Sequence, residues 1–115
     1  METDISERNG SCVCAVTGDI DMYSAPALHR KYTDFAAKKA TTPFILNLEK
    51  TDYLDSSGIG VLMQIHTDSS TRGIPFCITG VHGMVEQLMR LSRMGLLLPI
   101  EKDIDAAIAR AGKKK

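Results

Sequence analysis

Directly after Pro43, Phe44-Ile45-Leu46-Asn47-Leu48 is an almost unbroken apolar run. A strand with one wet face alternates apolar and polar side chains, so such a run suits a strand covered on both faces, as parallel strands are. Parallel strands cannot be joined by a tight turn and need long crossovers, usually helices. This one segment therefore restricts the chain to folds in which strands and helices alternate.

The flanking sequence has that alternation. Ser11-Cys12-Val13-Cys14-Ala15-Val16 reads as a strand stopping at Thr17-Gly18-Asp19, and Pro75-Phe76-Cys77-Ile78-Thr79-Gly80 as another. A weaker strand over Asp4 to Glu7 precedes the first, joined through Arg8-Asn9-Gly10, because Asn-Gly favours the primed hairpin turns. Ser24 is expected to cap a helix opened by Ala25-Pro26, with Leu28, Tyr32, Phe35 and Ala36 at helical spacing. A second helix begins at Asp55 or Ser56 and stops near Gly73, with Ile59, Leu62, Met63 and His66 inward. Its stretch from Thr67 to Thr71 is polar and a poor helix former, and is expected to fray. A third helix runs from Met84 to Met94 with Val85, Leu88, Met89 and Leu91 inward, ending before Gly95. The apolar stretch Leu96 to Ile100 leads into a last helix from Asp103, its cap, to Ala111, using Ile104, Ala107 and Ile108. The pattern predicts an α/β domain with a largely parallel sheet and helical crossovers.

The chain has 115 residues, enough for one domain and a core that hides roughly two-thirds of the unfolded surface. Lys plus Arg and Asp plus Glu both number 14, so the chain lacks the basic surplus of nucleic-acid binders. The closing Lys113-Lys114-Lys115 reads as a solvated, disordered basic tail after a domain spanning 1–112. Met1-Glu2-Thr3-Asp4 is acidic and polar, so no secretory signal is expected. No apolar run reaches the ~18 residues of a membrane span, so the protein is expected to be cytoplasmic without membrane insertion. The cysteines number three, an odd count, with Cys12 and Cys14 on one strand face. They read as buried reduced thiols, and with no matching His or Cys pair no metal site is expected.

Asp55-Ser56-Ser57-Gly58-Ile59-Gly60 departs from this local consistency. Two glycines in the first turns of a helix cost about 1 kcal/mol each relative to alanine. Glycine also lets another backbone, or a modifying enzyme, come close. The serines can be read as helix caps, or as a functional surface at the rim outside the strand ends where sites of α/β sheets collect. A phosphate on such a serine adds about −1.5 to −2 charges. The helix N-terminus would tolerate it, while Asp55, Asp52 and Asp21 would turn the surface intensely negative.

Nucleotide and catalytic motifs fail on spacing. A dinucleotide fingerprint starting at Gly58 needs glycine where Met63 stands, and a hydrolase elbow needs one where Leu54 stands. There is no phosphate-loop Gly-Lys-Ser or Gly-Lys-Thr, and His29, His66 and His82 have no Asp or Cys at a telling spacing. No cofactor and no catalytic residue is expected.

Gly18-Asp19-Ile20-Asp21 with Tyr23-Ser24-Ala25-Pro26, then Ile45-Leu46-Asn47-Leu48, then Tyr53-Leu54-Asp55-Ser56-Ser57-Gly58-Ile59-Gly60, resembles the bacterial anti-sigma-factor antagonists of the STAS domain family. The set runs in order over most of the chain, and Val85 to Leu98 continues it. The resemblance implies a single STAS-like α/β domain, with a mixed sheet of four to five strands and about four helices mainly on one face. It implies a protein that is no enzyme and works by partner switching. Unphosphorylated, it would bind an anti-sigma factor that is a serine kinase of the histidine-kinase-like ATPase fold, releasing the sigma factor. Phosphorylation at Ser56 would end binding, and a metal-dependent serine phosphatase would restore it. By the same resemblance Asp21, Ser24, Asn47, Asp55, Ser57, Gly58 and Gly60 belong to the partner surface. A second reading keeps the fold and makes the chain an accessory STAS subunit of an ABC-type lipid transporter, with Ser56 only a cap.

Overall fold

The computed structural model describes residues 1–39 and 41–113. Four strands, β1 (Glu2–Arg8), β2 (Ser11–Thr17), β3 (Phe44–Lys50) and β4 (Phe76–Thr79), form one mixed sheet in the order β1-β2-β3-β4. The hairpin β1–β2 is antiparallel, with Arg8 opposite Ser11. Asn9 and Gly10 both take positive φ, as a two-residue primed turn requires. The pairs β2–β3 and β3–β4 are parallel, and the apolar runs are indeed the strands covered on both faces. A fifth strand is reduced to one bridge, Ile100 beside Ile78.

Side-chain alternation along β2, β3 and β4 sorts the core into two layers. Cys12, Cys14, Val16, Phe44, Leu46, Leu48, Phe76 and Ile78 face a large cluster with α1 (Ala25–Lys38), α2 (Ser56–Arg72) and α3 (Gly83–Leu91). Phe44 is its centre, with Phe35 at 4.8 Å, Tyr32 edge-on at 5.4 Å and Phe76 stacked at 6.1 Å between ring centroids. Val13, Ile45 and Cys77 face the other way and are covered by α4 (Ile104–Lys113) through Ile104, Ala107 and Ile108. Three helices thus lie on one face and one on the other. All three cysteines are buried, and burial pushes the Cys14 thiol up to about 12.

Several local expectations change in tertiary context. The polar half of α2 does not fray: the helix runs unbroken to Arg72 and ends at Gly73. The Tyr32 hydroxyl donates to Asp68 Oδ2 at 2.7 Å, and Arg72 Nε donates to the same oxygen at 2.8 Å. Ser69 is buried with its hydroxyl on the His66 carbonyl, 3.0 Å away. The inner face of α2 is centred on Leu62, Ile65 and Ser69, while Met63 and His66 are only partly buried at its edge. Helix α3 stops at Leu91 instead of Met94, because the chain turns back so closely that a side chain at Gly95 would strike the Met89 backbone. Leu91 is exposed, being about 120° off the stripe of Val85, Leu88 and Met89 at 100° per residue. The basic end expected at 113–115 lies, beyond Lys113, outside the described residues.

Candidate functional site

Helix α2 starts where β3 runs out, and its start is fixed by Asp55. The Asp55 side chain caps the helix, Oδ1 accepting from the Gly58 N–H at 3.0 Å. That resolves the choice between Asp55 and Ser56: the aspartate caps, and Ser56 is the first helical residue, exposed to solvent. Ser57 is half-buried and Gly58 is buried.

The β2–α1 connection is tied beside this turn. Ile20 pairs with Leu54 in a parallel bridge, the Ile20 N–H donates to the Tyr53 carbonyl at 3.1 Å, and the Ile20 carbonyl accepts from the Asp55 N–H at 3.3 Å. The two connections are so close that a Cβ at Gly58 would lie 2.5 Å from the Ile20 carbonyl oxygen and 2.8 Å from Leu54 Cβ. Gly58 therefore serves this approach. Gly60 does not, since a Cβ there would meet nothing within 4 Å.

Asp21 and Ser24 form a closed turn next to that bridge. Asp21 Oδ1 accepts from the N–H groups of Tyr23 and Ser24, both at 3.0 Å. Ser24 sits at the start of α1 but makes no side-chain capping bond, contrary to the sequence expectation. Its hydroxyl accepts from the Asp21 N–H at 2.9 Å and shares its proton between the Asp19 carbonyl at 3.0 Å and the Asp21 carboxylate at 3.2 Å. The cap's role passes to Asp21, whose carbonyl takes the Ala25 N–H at 2.8 Å. The Ser24 backbone N–H, then the Tyr23 N–H and the Ser24 hydroxyl, hold the Asp21 carboxyl below its ordinary range.

The structure thus brings Asp21, Ser24, Asp55, Ser56, Ser57, Gly58 and Gly60 to the joined starts of α1 and α2. Asn47 is elsewhere. It lies two residues after Ile45 on the same strand face and so faces α4, lining an open cleft of about 570 Å³ with Thr79, Gly80, His82 and Lys102. Its Oδ1 accepts from the Glu49 N–H at 3.0 Å, which shapes the strand end. Sequence reasoning missed three exposed apolar residues in these turns: Met22, Tyr23 and Tyr53, 61 %, 84 % and 42 % exposed. Their signal is large apolar side chains in segments that fit neither helical nor strand periodicity. Among the described residues no three His, Cys, Asp or Glu side chains converge as metal ligands, and no helix is long and apolar enough to cross a membrane.

Comparison with known proteins agrees with this fold. The chain is 18 % identical over 100 residues to the anti-sigma F factor antagonist of Paenibacillus polymyxa, covering 87 % of this chain and 86 % of that protein. Its fold superposes on an anti-sigma factor antagonist from Mycobacterium paratuberculosis with a TM-score of 0.83 at 20 % identity, covering 96 % and 93 % of the two chains. It also resembles the Bacillus anti-sigma factor antagonist SpoIIAA in its unphosphorylated form, with a TM-score of 0.70 at 12 % identity over 99 % of this chain and all of that one. The phosphorylated form gives 0.69 at 17 % identity, over 95 % and 98 %. The STAS domain model matches residues 2–107, and with its mixed four-stranded sheet and four helices the chain belongs to the STAS domain family.

Proposed function

We propose that this chain is an anti-sigma-factor antagonist acting in the cytoplasm by partner switching. Unphosphorylated, it binds an anti-sigma factor that is a serine kinase of the histidine-kinase-like ATPase fold, and so frees the sigma factor. Phosphorylation of Ser56 ends the complex, and a metal-dependent serine phosphatase restores it. The chain is the substrate of these enzymes and is not itself an enzyme.

The observation that carries this reading is an exposed Ser56 relieved of capping by Asp55. A serine that caps a helix has its oxygen committed to backbone N–H groups. Here that duty belongs to the neighbour, so the Ser56 hydroxyl is open to a kinase. The start of α2 tolerates the added charge, because the helix dipole favours an anion there. The partner does not, since a phosphate carrying about −1.5 to −2 charges beside Asp21 and Asp55 cannot be desolvated in a close contact. Asp21, Ser24, Asp55, Ser57 and Gly60 form the recognition surface; Gly58 supports it by admitting Ile20, and Asn47 joins it only through the strand-end turn it holds at Glu49. The Bacillus relative exists in both phosphorylation states within one fold, in keeping with a switch that spares the domain.

The test is transfer from the candidate kinase of the same organism with ATP. Wild type should gain one phosphate and Ser56→Ala none, by mass spectrometry. Ser56→Asp should keep the wild-type circular dichroism and melting temperature yet lose kinase binding. Phosphate on Ser57, or full affinity in Ser56→Asp, would sink this reading. Stable co-purification with a transporter ATPase that ignores Ser56→Ala would replace it with the accessory-subunit role.

A further inference from the structure

Gly58 and Gly60 form a pair in the sequence and serve different ends in the structure. The first is required by the Ile20 carbonyl and Leu54. The second has no positive φ and no neighbour within 4 Å of the side chain it lacks. Nothing in the fold asks for glycine there, and inside a helix glycine is less stable than alanine. What the missing side chain leaves clear is a groove of about 490 Å³ between the starts of α1 and α2. Met22, Ala25, Pro26, Ser57 and Val61 wall it, with His29 and Gln64 also lining it. Among the described residues no Lys, Arg, Asp or Glu lines it, and Met22 stands 61 % exposed at its side.

We propose that this groove is the socket for one apolar side chain of the kinase that acts on Ser56, and that residue 60 is glycine to keep the socket open. The inference rests on the Ser56 reading, and the groove is continuous with that surface because Ser57 is one of its walls. Charge selects the occupant. No carboxylate lines the groove to pair with a cation, and the adjoining segments carry Asp21 and Asp55, so a neutral apolar group fits and an acidic one is excluded. An aliphatic or aromatic anchor filling a desolvated pocket is the usual core of a protein interface. It also couples the socket to the switch: a phosphate on the residue before Ser57 would have to shed water against the seated apolar group.

Two measurements test this. N-acetyl-leucine amide titrated into the wild type should shift amide resonances of Ala25, Ser57, Val61 and Gln64, and Gly60→Leu should abolish those shifts. Against the kinase, Gly60→Leu should weaken binding roughly 10- to 100-fold, the range that overfilling a packed site produces. Gly60→Ala should raise the melting temperature by roughly 4 °C, showing that position 60 is free of any structural need. Wild-type kinase affinity in a folded Gly60→Leu, or shifts spread away from the groove, would overturn the socket. A wild-type dimer in sedimentation that Gly60→Leu dissolves would also overturn it, assigning the groove to a second copy. Full kinase affinity in Ser56→Asp, with groove shifts intact and Gly60→Leu still weak, supports the socket and removes only the phosphorylation reading.

Discussion

Residues 55 to 60 divide their work in a way that substitution can separate. Gly58→Ala forces a Cβ against the Ile20 carbonyl and Leu54, and neither backbone nor buried side chain can yield freely. It should destabilise the domain by roughly 1–3 kcal/mol, while Gly60→Ala stabilises it by about 1 kcal/mol. Urea unfolding of the two variants reads this opposite sign directly. Asp21 carries a pH signature. Its carboxyl is held below the ordinary value of 3.8, first by the Ser24 N–H, so the folded state favours the ionised form. The stability it adds is complete above that ordinary value and disappears as pH falls through the lowered one. Asp21→Asn should therefore be less stable than wild type near neutral pH, with the gap closing below the usual carboxylate range in urea titrations at stepped pH.

At the scale of the element, α2 shows how tertiary partners rescue a weak helical sequence. Thr67-Asp68-Ser69-Ser70-Thr71 has low helix propensity, yet Tyr32 of α1 reaches across to Asp68, and Arg72 shares the same oxygen. Tyr32 is fully buried, so its hydroxyl has no alternative in water. Tyr32→Phe removes a hydrogen bond to a charged group and should cost about 1.5–3 kcal/mol. Hydrogen exchange should locate the loss in the last two turns of α2, with its capped start unaffected. An even loss of protection along the helix would contradict this account. The strands needed no such rescue: β3 and β4 were legible from their continuous apolar runs because two-sided burial leaves little room for polar residues.

For the whole molecule, the sheet depends on α4 for the cover of one entire face. Among the described residues Val13, Ile45 and Cys77 form that layer with Ile104, Ala107 and Ile108. A chain ended at Lys102 should lose on the order of 5 kcal/mol of apolar burial and bind a hydrophobic dye. A truncated protein with the wild-type melting temperature would show the second layer to be dispensable. The same two-layer build separates Asn47 from the α1–α2 rim. It stands in line with the motif residues in sequence, but strand alternation turns its side chain to the α4 side. Sequence order grouped it with Asp21 and Ser56; the pleat parted them.

What the sequence determined by itself was whatever depends on local periodicity and turn chemistry. This covers the strand–helix alternation, the Asn9-Gly10 hairpin, the Asp103 cap, and the segment from Asp55 to Gly60 as the place where local rules are broken. The tertiary structure alone decided which of two adjacent residues caps α2, that the fold requires glycine at 58 and not at 60, and that a groove opens beside Ser57. Those outcomes depend on the distance between the β2–α1 and β3–α2 connections, which are over thirty residues apart in the chain and joined by the Ile20–Leu54 bridge. Periodicity carries no information about such a distance, because it is set by packing the two connections against one core.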